Sequence, residues 1–521
     1  MDARVRFPPA SEGWVCDPRT VRDGLPLDDE ARYRAMLARD ARFDGWFFIA
    51  VKTTGIYCRP SCPTPVHPKR RNVTFLPTAA AAQRRGFRAC KRCRPDATPG
   101  SPEWSQRADL AGRALRLIAD GVVDREGVGG LAAHVAVSER HLNRVLVDEV
   151  GAGPISLARA QRAQTARVLI ETTDIGFAEI AFAAGFSSVR QFNDTMREVF
   201  AATPTALRAT AGSSRTPSPV ASAGESAAPV SIRLAVRAPF DHSHLMGFLA
   251  ARAVGGVEAC DGRTYSRSVL LAHGPAVVDL TPADDHVKAT FHLSDLRDLP
   301  AGVARTRRFL DLDADPVSID SALRTDPAMR SVVERHPGRR APGALDPHEL
   351  AVRAVLGQQV SVSAARTTAE RITIRFGRML PTPVGVVDRL FPDAETLAEV
   401  DPETLGVPRS RGRAVVALAA ALAGGVVVLD AGADRAGTVE ALTSLPGIGP
   451  WTASYIAMRA LSDPDVLLST DLAARAGAAR LGLPDSTAAL NEHARRWAPW
   501  RSYATHHLWT ASRGASRSET T

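Results

Sequence analysis

Four cysteines constrain this 521-residue chain more than any other feature. Cys58 and Cys62 are separated by three residues, Cys90 and Cys93 by two, and 27 residues lie between the pairs. Two short pairs around a folded insert suit a tetrahedral four-thiolate Zn2+ site, because each pair supplies two neighbouring ligands and the insert closes the tetrahedron. Charges begin at Asp2 and Arg4 with no apolar stretch behind them, so no secretory signal is expected. A reducing, cytoplasmic setting follows, in which paired cysteines read as metal ligands before disulfides. Taken alone, such spacing points to a structural zinc. Cys16 and Cys260 stand apart from the cluster.

The charge sits where the cysteines sit. Residues 41–100 hold twelve Lys/Arg against only Asp44 and Asp96, a local excess of +10 in a chain whose total is +9. The remainder is near neutral, so one segment forms the anion-facing surface, and a polyanion such as DNA is the expected partner. Ala414–Leu429 is the longest apolar run; it falls short of the roughly 20 residues a bilayer span needs and is interrupted at Gly424-Gly425. No membrane association is expected.

Length predicts several domains. Residues 210–229 are rich in Ser, Ala, Pro and Gly without periodicity and read as a flexible linker. Ahead of it, 25–100 mix short strand-like runs (46–52 and 72–76) with a helical stretch near 78–86, and 104–208 are helical. Behind it, 230–340 alternate like strands with an early helix near 243–253, and 346–512 return to helix. The expected fold class is multidomain α+β: a small zinc-binding α/β domain, an all-α double helix-turn-helix domain, a β-rich domain, and an all-α domain.

The 104–208 segment repeats itself. Leu131–Ser138 and Ile180–Ser187 match at an offset of 49 residues, each a short helix, a tight turn and a Ser placed to cap the next helix. In the first copy Leu142, Val145 and Leu146 share an apolar face, while Arg140, Asn143 and Arg144 share another. In the second, Phe192, Met196 and Phe200 form the stripe, leaving Arg190, Gln191 and Asn193 on other faces. Two helix-turn-helix units result, each with a polar second helix able to enter a major groove. The pattern resembles the AraC family of DNA-binding domains, with 154–170 matching its connecting helix.

Around the cysteines, residues 52–62 (KTTGIYCRPSC) and 86–96 (GFRACKRCRPD) closely resemble the N-terminal domain of the Ada adaptive-response family. That resemblance implies more than structural zinc: Cys58 becomes the nucleophile that irreversibly accepts a methyl group from a DNA methylphosphotriester, with Cys62, Cys90 and Cys93 as the other ligands. Metal coordination keeps a thiol deprotonated at neutral pH, which such a nucleophile needs. Methylating one thiolate removes a negative charge, so repulsion from DNA phosphate falls and affinity should rise. The second, guanine-repairing acceptor of many Ada proteins is not expected, since no cysteine follows Cys260.

In the C-terminal half, residues 445–453 (LPGIGPWTA) place Gly447, Ile448 and Gly449 in a hairpin at the start of a helix, where free backbone N–H groups can hold a phosphate. A helix follows this hairpin, as in the helix-hairpin-helix signature of DNA repair glycosylases. Twenty residues after Trp451, Asp471 opens another helix; a plain N-cap is the ordinary role of Asp there. The whole of 230–512 resembles the AlkA-type 3-methyladenine DNA glycosylases. By that resemblance Asp471 is the catalytic carboxylate, Trp451, Tyr455 and Trp509 line the pocket for an extruded base, and Gln359 stands where the family inserts a wedge into the duplex. As residues alone, the three aromatics fit a core equally well. Bifunctional relatives that also cut the strand carry a Lys where this chain has Trp451, and iron–sulfur members need four C-terminal cysteines, so a monofunctional hydrolase needing no cofactor in that half is expected.

The combined expectation is a fusion. One half is a zinc methyl acceptor and a methylation-triggered transcriptional activator that works with RNA polymerase on promoter DNA. The other excises 3-methyladenine and 7-methylguanine from alkylated double-stranded DNA, in a cytoplasmic, nucleoid-associated protein. The alternative from another class is a pure regulator with structural zinc, whose glycosylase-like half only grips DNA.

Overall fold

The computed structural model describes residues 29–37, 47–60, 62, 64, 67–77, 79–90, 109–210, 229–430 and 432–513. Cys93, Lys91, Arg92 and nearly all of the 210–229 linker lie outside the described residues.

The first unit is a four-stranded sheet in the order β3-β1-β2-β4, built from Phe48–Val51 (β1), Ile56–Cys58 (β2), Val73–Leu76 (β3) and Arg88–Ala89 (β4). β1 is flanked by antiparallel neighbours, whereas β4 joins β2 in parallel through Ile56↔Arg88 and Tyr57↔Ala89. The sequence reading anticipated β1, β3 and the Ala79–Arg84 helix. It missed β2 and β4, whose two or three residues carry too little alternation to register.

The helix-turn-helix unit runs from Asp109–Ala119 to Pro204–Thr210. Its long central helix, Pro154–Thr172, separates two units whose second helices are Glu139–Val150 and Val189–Phe200. Ser138 caps the first of these, accepting from the His141 N–H at 3.3 Å. In the second copy the cap is Ser188, one residue later than the repeat implied, accepting from Gln191 N–H at 3.2 Å. Ser187 instead donates to the Gln191 side chain, its hydroxyl lying 3.0 Å from Oε1. Leu142, Leu146, Phe192 and Met196 are fully buried, as their spacing predicts.

After the linker, five antiparallel strands take the order β5-β9-β8-β7-β6: Val230–Ala235 (β5), Glu258–Cys260 (β6), Tyr265–Leu271 (β7), Gly274–Pro282 (β8) and His286–Leu293 (β9). Alternation is clean on β9, where Val287, Ala289, Phe291 and Leu293 point inward. The sheet ends at Leu293, and Leu299–Phe309, Pro316–Arg324 and Pro327–Arg335 are helices. The expectation of strand-like alternation through 340 is thereby corrected, since Asp315-Pro316 and Asp326-Pro327 are helix starts, each Asp capping and each Pro at the first turn. Within the C-terminal helical region one hairpin, Met379–Val384 with Val387–Arg389, interrupts the expected all-α pattern.

A buried ionic cluster joins the sheet to the helical domain. Arg267 on β7 reaches Glu349 at 2.7 Å and Glu258 at 3.3 Å, and Arg353 reaches Glu258 at 2.9 Å and Glu349 at 2.6 Å. The Tyr265 hydroxyl donates to Glu258 at 2.5 Å. Burial pushes the Glu258 carboxyl up, but Arg353, Arg267 and the Tyr265 hydroxyl more than offset it and hold it below its ordinary range. Two carboxylates against two guanidiniums leave no net charge in the interior, which is what makes such a cluster tolerable there.

Candidate functional site

A cavity of about 1080 Å³ lies between the helical domain and the five-stranded-sheet unit, and most of the residues singled out by sequence in this half meet there: Asp471, Trp451, Tyr455, Trp509, Gln359, Gly447 and Gly449. Four local features assemble it. Gly447 adopts a left-handed φ of 82° in the hairpin, and a Cβ there would sit 2.8 Å from that of Ala414. Gly449 caps the Pro450–Ala460 helix, where Pro450 opens the first turn without an N–H to lose. That helix carries Trp451 and Tyr455 one turn apart, their rings stacked at 5.4 Å and 12°. Asp471 opens the Leu472–Arg480 helix, and Trp509 comes from Arg501–Arg513.

Asp471 does more than cap its helix. Its Oδ1 accepts the Ala474 N–H at 2.9 Å, which is the cap. The same oxygen accepts the Trp509 indole N–H at 2.9 Å, and Oδ2 accepts the Trp451 indole N–H at 3.2 Å. Each carboxylate oxygen therefore has an indole donor, and the group is fixed in orientation at the cavity wall. Trp509 in turn lies nearly parallel to Phe248, 6.2 Å away and tilted 18°. The two tryptophans are thus neither plain core nor plain pocket lining: half-buried, they hold the carboxylate as well as face the cavity, while Tyr455 stacks on Trp451.

Ile448 differs from its companions. Its side chain is 4% exposed in the domain core and its N–H is bonded to Leu445 O at 3.2 Å, so it anchors the hairpin from inside while Gly447 and Gly449 are exposed. The exposed backbone of the hairpin is thus at Gly447 and Gly449. Gln359 is exposed at the tip of the turn after Pro347–Leu356, with φ 55°. Gln358, which sequence reasoning passed over, pins that turn: its amide donates to Gly447 O at 2.9 Å and lies 3.0 Å from the Thr452 hydroxyl. Also unforeseen was Arg459, buried beneath the pocket, donating to the Tyr455 hydroxyl at 2.9 Å and Gly343 O at 3.0 Å. Burial raises the Tyr455 phenol, but Arg459, Arg252 and Arg353 outweigh it and hold its pKa below the ordinary value. Apolar-to-polar spacing carries no trace of either residue's role, since both act on backbone carbonyls distant in sequence.

The cysteine cluster forms where β2 meets β4. Parallel pairing and the Cys90 N–H bond to Tyr57 O at 3.0 Å set Cys58 and Cys90 side by side, and a turn closed by Cys62 N–H on Arg59 O at 3.1 Å folds Cys62 back onto them. Their three sulfurs lie within 4.8 Å of one another, with Cys62 and Cys90 at 3.9 Å. Tetrahedral zinc with Zn–S bonds of about 2.3 Å separates its sulfurs by roughly 3.8 Å, so the donor set and spacing fit that ion. Cys62 is buried; Cys58 and Cys90 are half-buried, and exposed Lys52, Lys69, Arg71, Arg84, Arg85 and Arg88 belong to the same unit. Arg70 is taken up internally, bonded to Glu30 at 2.8 Å and Asp29 at 3.2 Å.

In the helix-turn-helix unit, Arg140, Asn143, Arg144, Arg190 and Gln191 are all exposed on the second helices. Arg144 contacts His141 Nδ1 at 2.9 Å and Arg190 lies 3.9 Å from Asp194, so these side chains are held along their helices.

Fold, thiolate cluster and cavity together define a class: a DNA-glycosylase half preceded by an Ada-type metal-binding and helix-turn-helix regulator. Family models match accordingly, the metal binding domain of Ada over residues 31–96, a helix-turn-helix domain over 131–210 and the AlkA N-terminal domain over 231–346. The chain is 56% identical over 93% of its length, and 96% of the relative's, to the "Probable bifunctional transcriptional activator/DNA repair enzyme AlkA" of Mycobacterium tuberculosis. It is 35% identical to DNA-3-methyladenine glycosylase 2 of Escherichia coli, across 52% of this chain and 94% of that one. To the bifunctional transcriptional activator/DNA repair enzyme Ada of Escherichia coli it is 40% identical, across 27% of this chain and 38% of that one. The chain belongs to the family of bifunctional transcriptional activator/DNA repair enzymes of this AlkA type. Among the described residues no helix is long and apolar enough to cross a membrane.

Proposed function

We propose that this chain repairs alkylated DNA in two ways and reports the damage. It releases alkylated purines such as 3-methyladenine and 7-methylguanine by hydrolysis, and it takes a methyl group from DNA methylphosphotriesters onto Cys58. The units doing so are 25–100, 104–208, 230–340 and 346–512, with 210–229 as the tether.

The observation that carries the first activity is Asp471, an oriented carboxylate at the wall of a cavity lined by stacked aromatics. An alkylated purine is cationic and leaves readily, and electron-rich rings favour it. Its C1′–N bond breaks with the electron pair leaving on the base; the Asp471 carboxylate stabilises the positive charge that develops on the sugar, and water adds at C1′ while its proton passes to the carboxylate or solvent. The base must leave the stack first, which damaged bases do at lower cost. With Trp451 where strand-cutting relatives carry Lys, hydrolysis without strand scission is the reading for this half.

The sulfur cluster and its basic surroundings support the second activity. When bound, the zinc ion keeps the ligating thiols deprotonated at neutral pH. Cys93 would complete the ligand set with Cys58, Cys62 and Cys90. The Cys58 sulfur displaces a phosphate oxygen from the methyl carbon: an S–C bond forms, a C–O bond breaks, and the phosphodiester leaves as an anion. The thioether so formed does not release its methyl group to water, so each chain turns over once. The lost negative charge then tightens binding to promoter DNA through the two helix-turn-helix units, and RNA polymerase is recruited there. Cytoplasmic, nucleoid-associated residence goes with this work.

One DNA substrate carrying both lesions separates the activities. Asp471→Asn should lose base release yet still acquire one methyl on Cys58, whereas Cys58→Ala should do the reverse. If both variants lost both activities while remaining folded, the two-site reading would be wrong.

A further inference from the structure

Val122–His134, the helix ahead of the turn in the first helix-turn-helix unit, is held at both ends by the glycosylase half. Just before its start Asp120 accepts from Arg308 at 2.7 Å, and at its last residue His134 Nδ1 lies 3.4 Å from the Asp430 carboxylate. Between these anchors the helix breaks at Gly127, with φ 70° and ψ −170°, a conformation that glycine alone adopts without strain. The Glu126 carboxylate braces the break by reaching His134 Nε2 at 3.0 Å. From His134 the chain turns to Ser138, which caps the reading helix Glu139–Val150, so the anchors bear on the turn that aims Arg140, Asn143 and Arg144.

A path of hydrogen bonds runs from the Arg308 anchor to the cavity. Phe309, the next residue, lines the cavity, and its carbonyl accepts the Gly343 N–H at 2.9 Å. Gly343 O accepts from Arg459 at 3.0 Å, and Arg459 donates to the Tyr455 hydroxyl at 2.9 Å. The path is tightly packed: a Cβ on Gly343 would come within 2.9 Å of Arg308 O, and Arg459 is buried. Interiors packed to this degree transmit a displacement rather than absorb it. At the far end Tyr455 stacks on Trp451, which holds Asp471, so a base entering the aromatic cavity loads this path.

We propose that the cavity and the first helix-turn-helix unit are allosterically linked along this path: a damaged base held at Tyr455 stiffens the jointed Val122–His134 helix and favours DNA binding by Glu139–Val150. The gain is entropic, because a joint ordered by one ligand need not be ordered again for the next. Linkage is reciprocal, so DNA on the reading helix tightens the hold on a damaged base by the same factor. This rests on the reading of the C-terminal half as a base-releasing enzyme and adds a regulatory output to it. Base damage then reaches the regulator by a route separate from methylation of Cys58.

The test follows hydrogen exchange at the amides of residues 128–150 in the zinc-loaded full chain. The chain is saturated either with a duplex containing 7-methylguanine on a sugar fluorinated at C2′, whose glycosidic bond resists cleavage, or with the undamaged duplex of the same sequence. The damaged duplex should slow exchange about fivefold or more beyond the undamaged one, a factor at the low end of ordinary allosteric coupling. Arg308→Ala should erase that difference while releasing 7-methylguanine from ordinary methylated duplex as fast as the parent. Exchanging the charges, Asp120→Arg with Arg308→Asp, should bring the difference back. Equal exchange on the two duplexes in the parent, or a difference that survives in Arg308→Ala, would overturn the proposal. A parent chain that neither releases 7-methylguanine nor binds the damaged duplex more tightly would instead overturn the enzyme reading, and the proposal with it.

Discussion

At the scale of single residues, the orientation of the Asp471 carboxylate depends on its donors. Asp471 was legible because an Asp after a hairpin-and-helix pattern stands out, but the sequence could not say which groups would hold it. The two indole N–H bonds come from residues 20 positions before it and 38 after it, and no local pattern encodes that convergence. A hydrogen bond to a charged group contributes about 1.5–3 kcal/mol. Trp509→Phe keeps a ring to stack on Phe248 but removes the N–H, so kcat for base release should fall roughly ten- to hundredfold, with KM for damaged DNA little changed. Steady-state kinetics on methylated duplex check this; a rise in KM at constant kcat would assign Trp509 to binding alone.

At the scale of elements, small residues decide whether the parts meet. Gly477 in the Leu472–Arg480 helix lies so close to the Arg501–Arg513 helix that a Cβ would come within 2.0 Å of Leu508 O. That contact brings Asp471 to Trp509. Gly477→Ala should push the helices apart, lower stability by about 1–3 kcal/mol as overpacking does, and reduce base release beyond what the stability loss explains. Calorimetry beside single-turnover rates on folded protein checks it. Helices with long amphipathic stripes, such as Val189–Phe200, were readable from spacing alone. The Arg88–Ala89 strand was not, although it places Cys90 beside Cys58, because two residues have no periodicity to read. In the same way the cysteine pairs announced a metal site while the pairing that builds it stayed hidden.

At the scale of the whole molecule, the two halves touch. Arg308 reaches Asp120 of the helix-turn-helix unit at 2.7 Å, and Asp430 lies 3.4 Å from His134. Linker composition gave no hint of this, since contacts between units are set by surfaces rather than by sequence period. Global stability should also depend on pH. His506 and His507 are fully buried without a hydrogen-bond partner on either ring nitrogen, and burial, reinforced by nearby positive groups, holds both pKa values well below 6.5. Above about pH 6.5 both are neutral folded or unfolded, so their contribution is intact. As pH falls below that value the unfolded chain takes up protons that the folded one refuses, and stability is lost. Asp311 opposes this: burial, only partly offset by Arg340, raises it to about 6, so the folded state binds its proton first and gains stability below that pH. The share of the two histidines is isolated by comparing variants: between pH 7 and 5 the melting temperature of His507→Leu should fall less, or rise more, than that of the parent. An identical pH dependence in the two proteins would contradict the assignment. The central claim, that a catalytic glycosylase is built into a damage-sensing regulator, is tested most directly by counting 7-methylguanine and 3-methyladenine released from methylated duplex DNA per mole of zinc-loaded full chain, with Asp471→Asn alongside. Many bases per chain, abolished in the variant while DNA binding persists, is the predicted result; no release from folded protein, or undiminished release by Asp471→Asn, would contradict it.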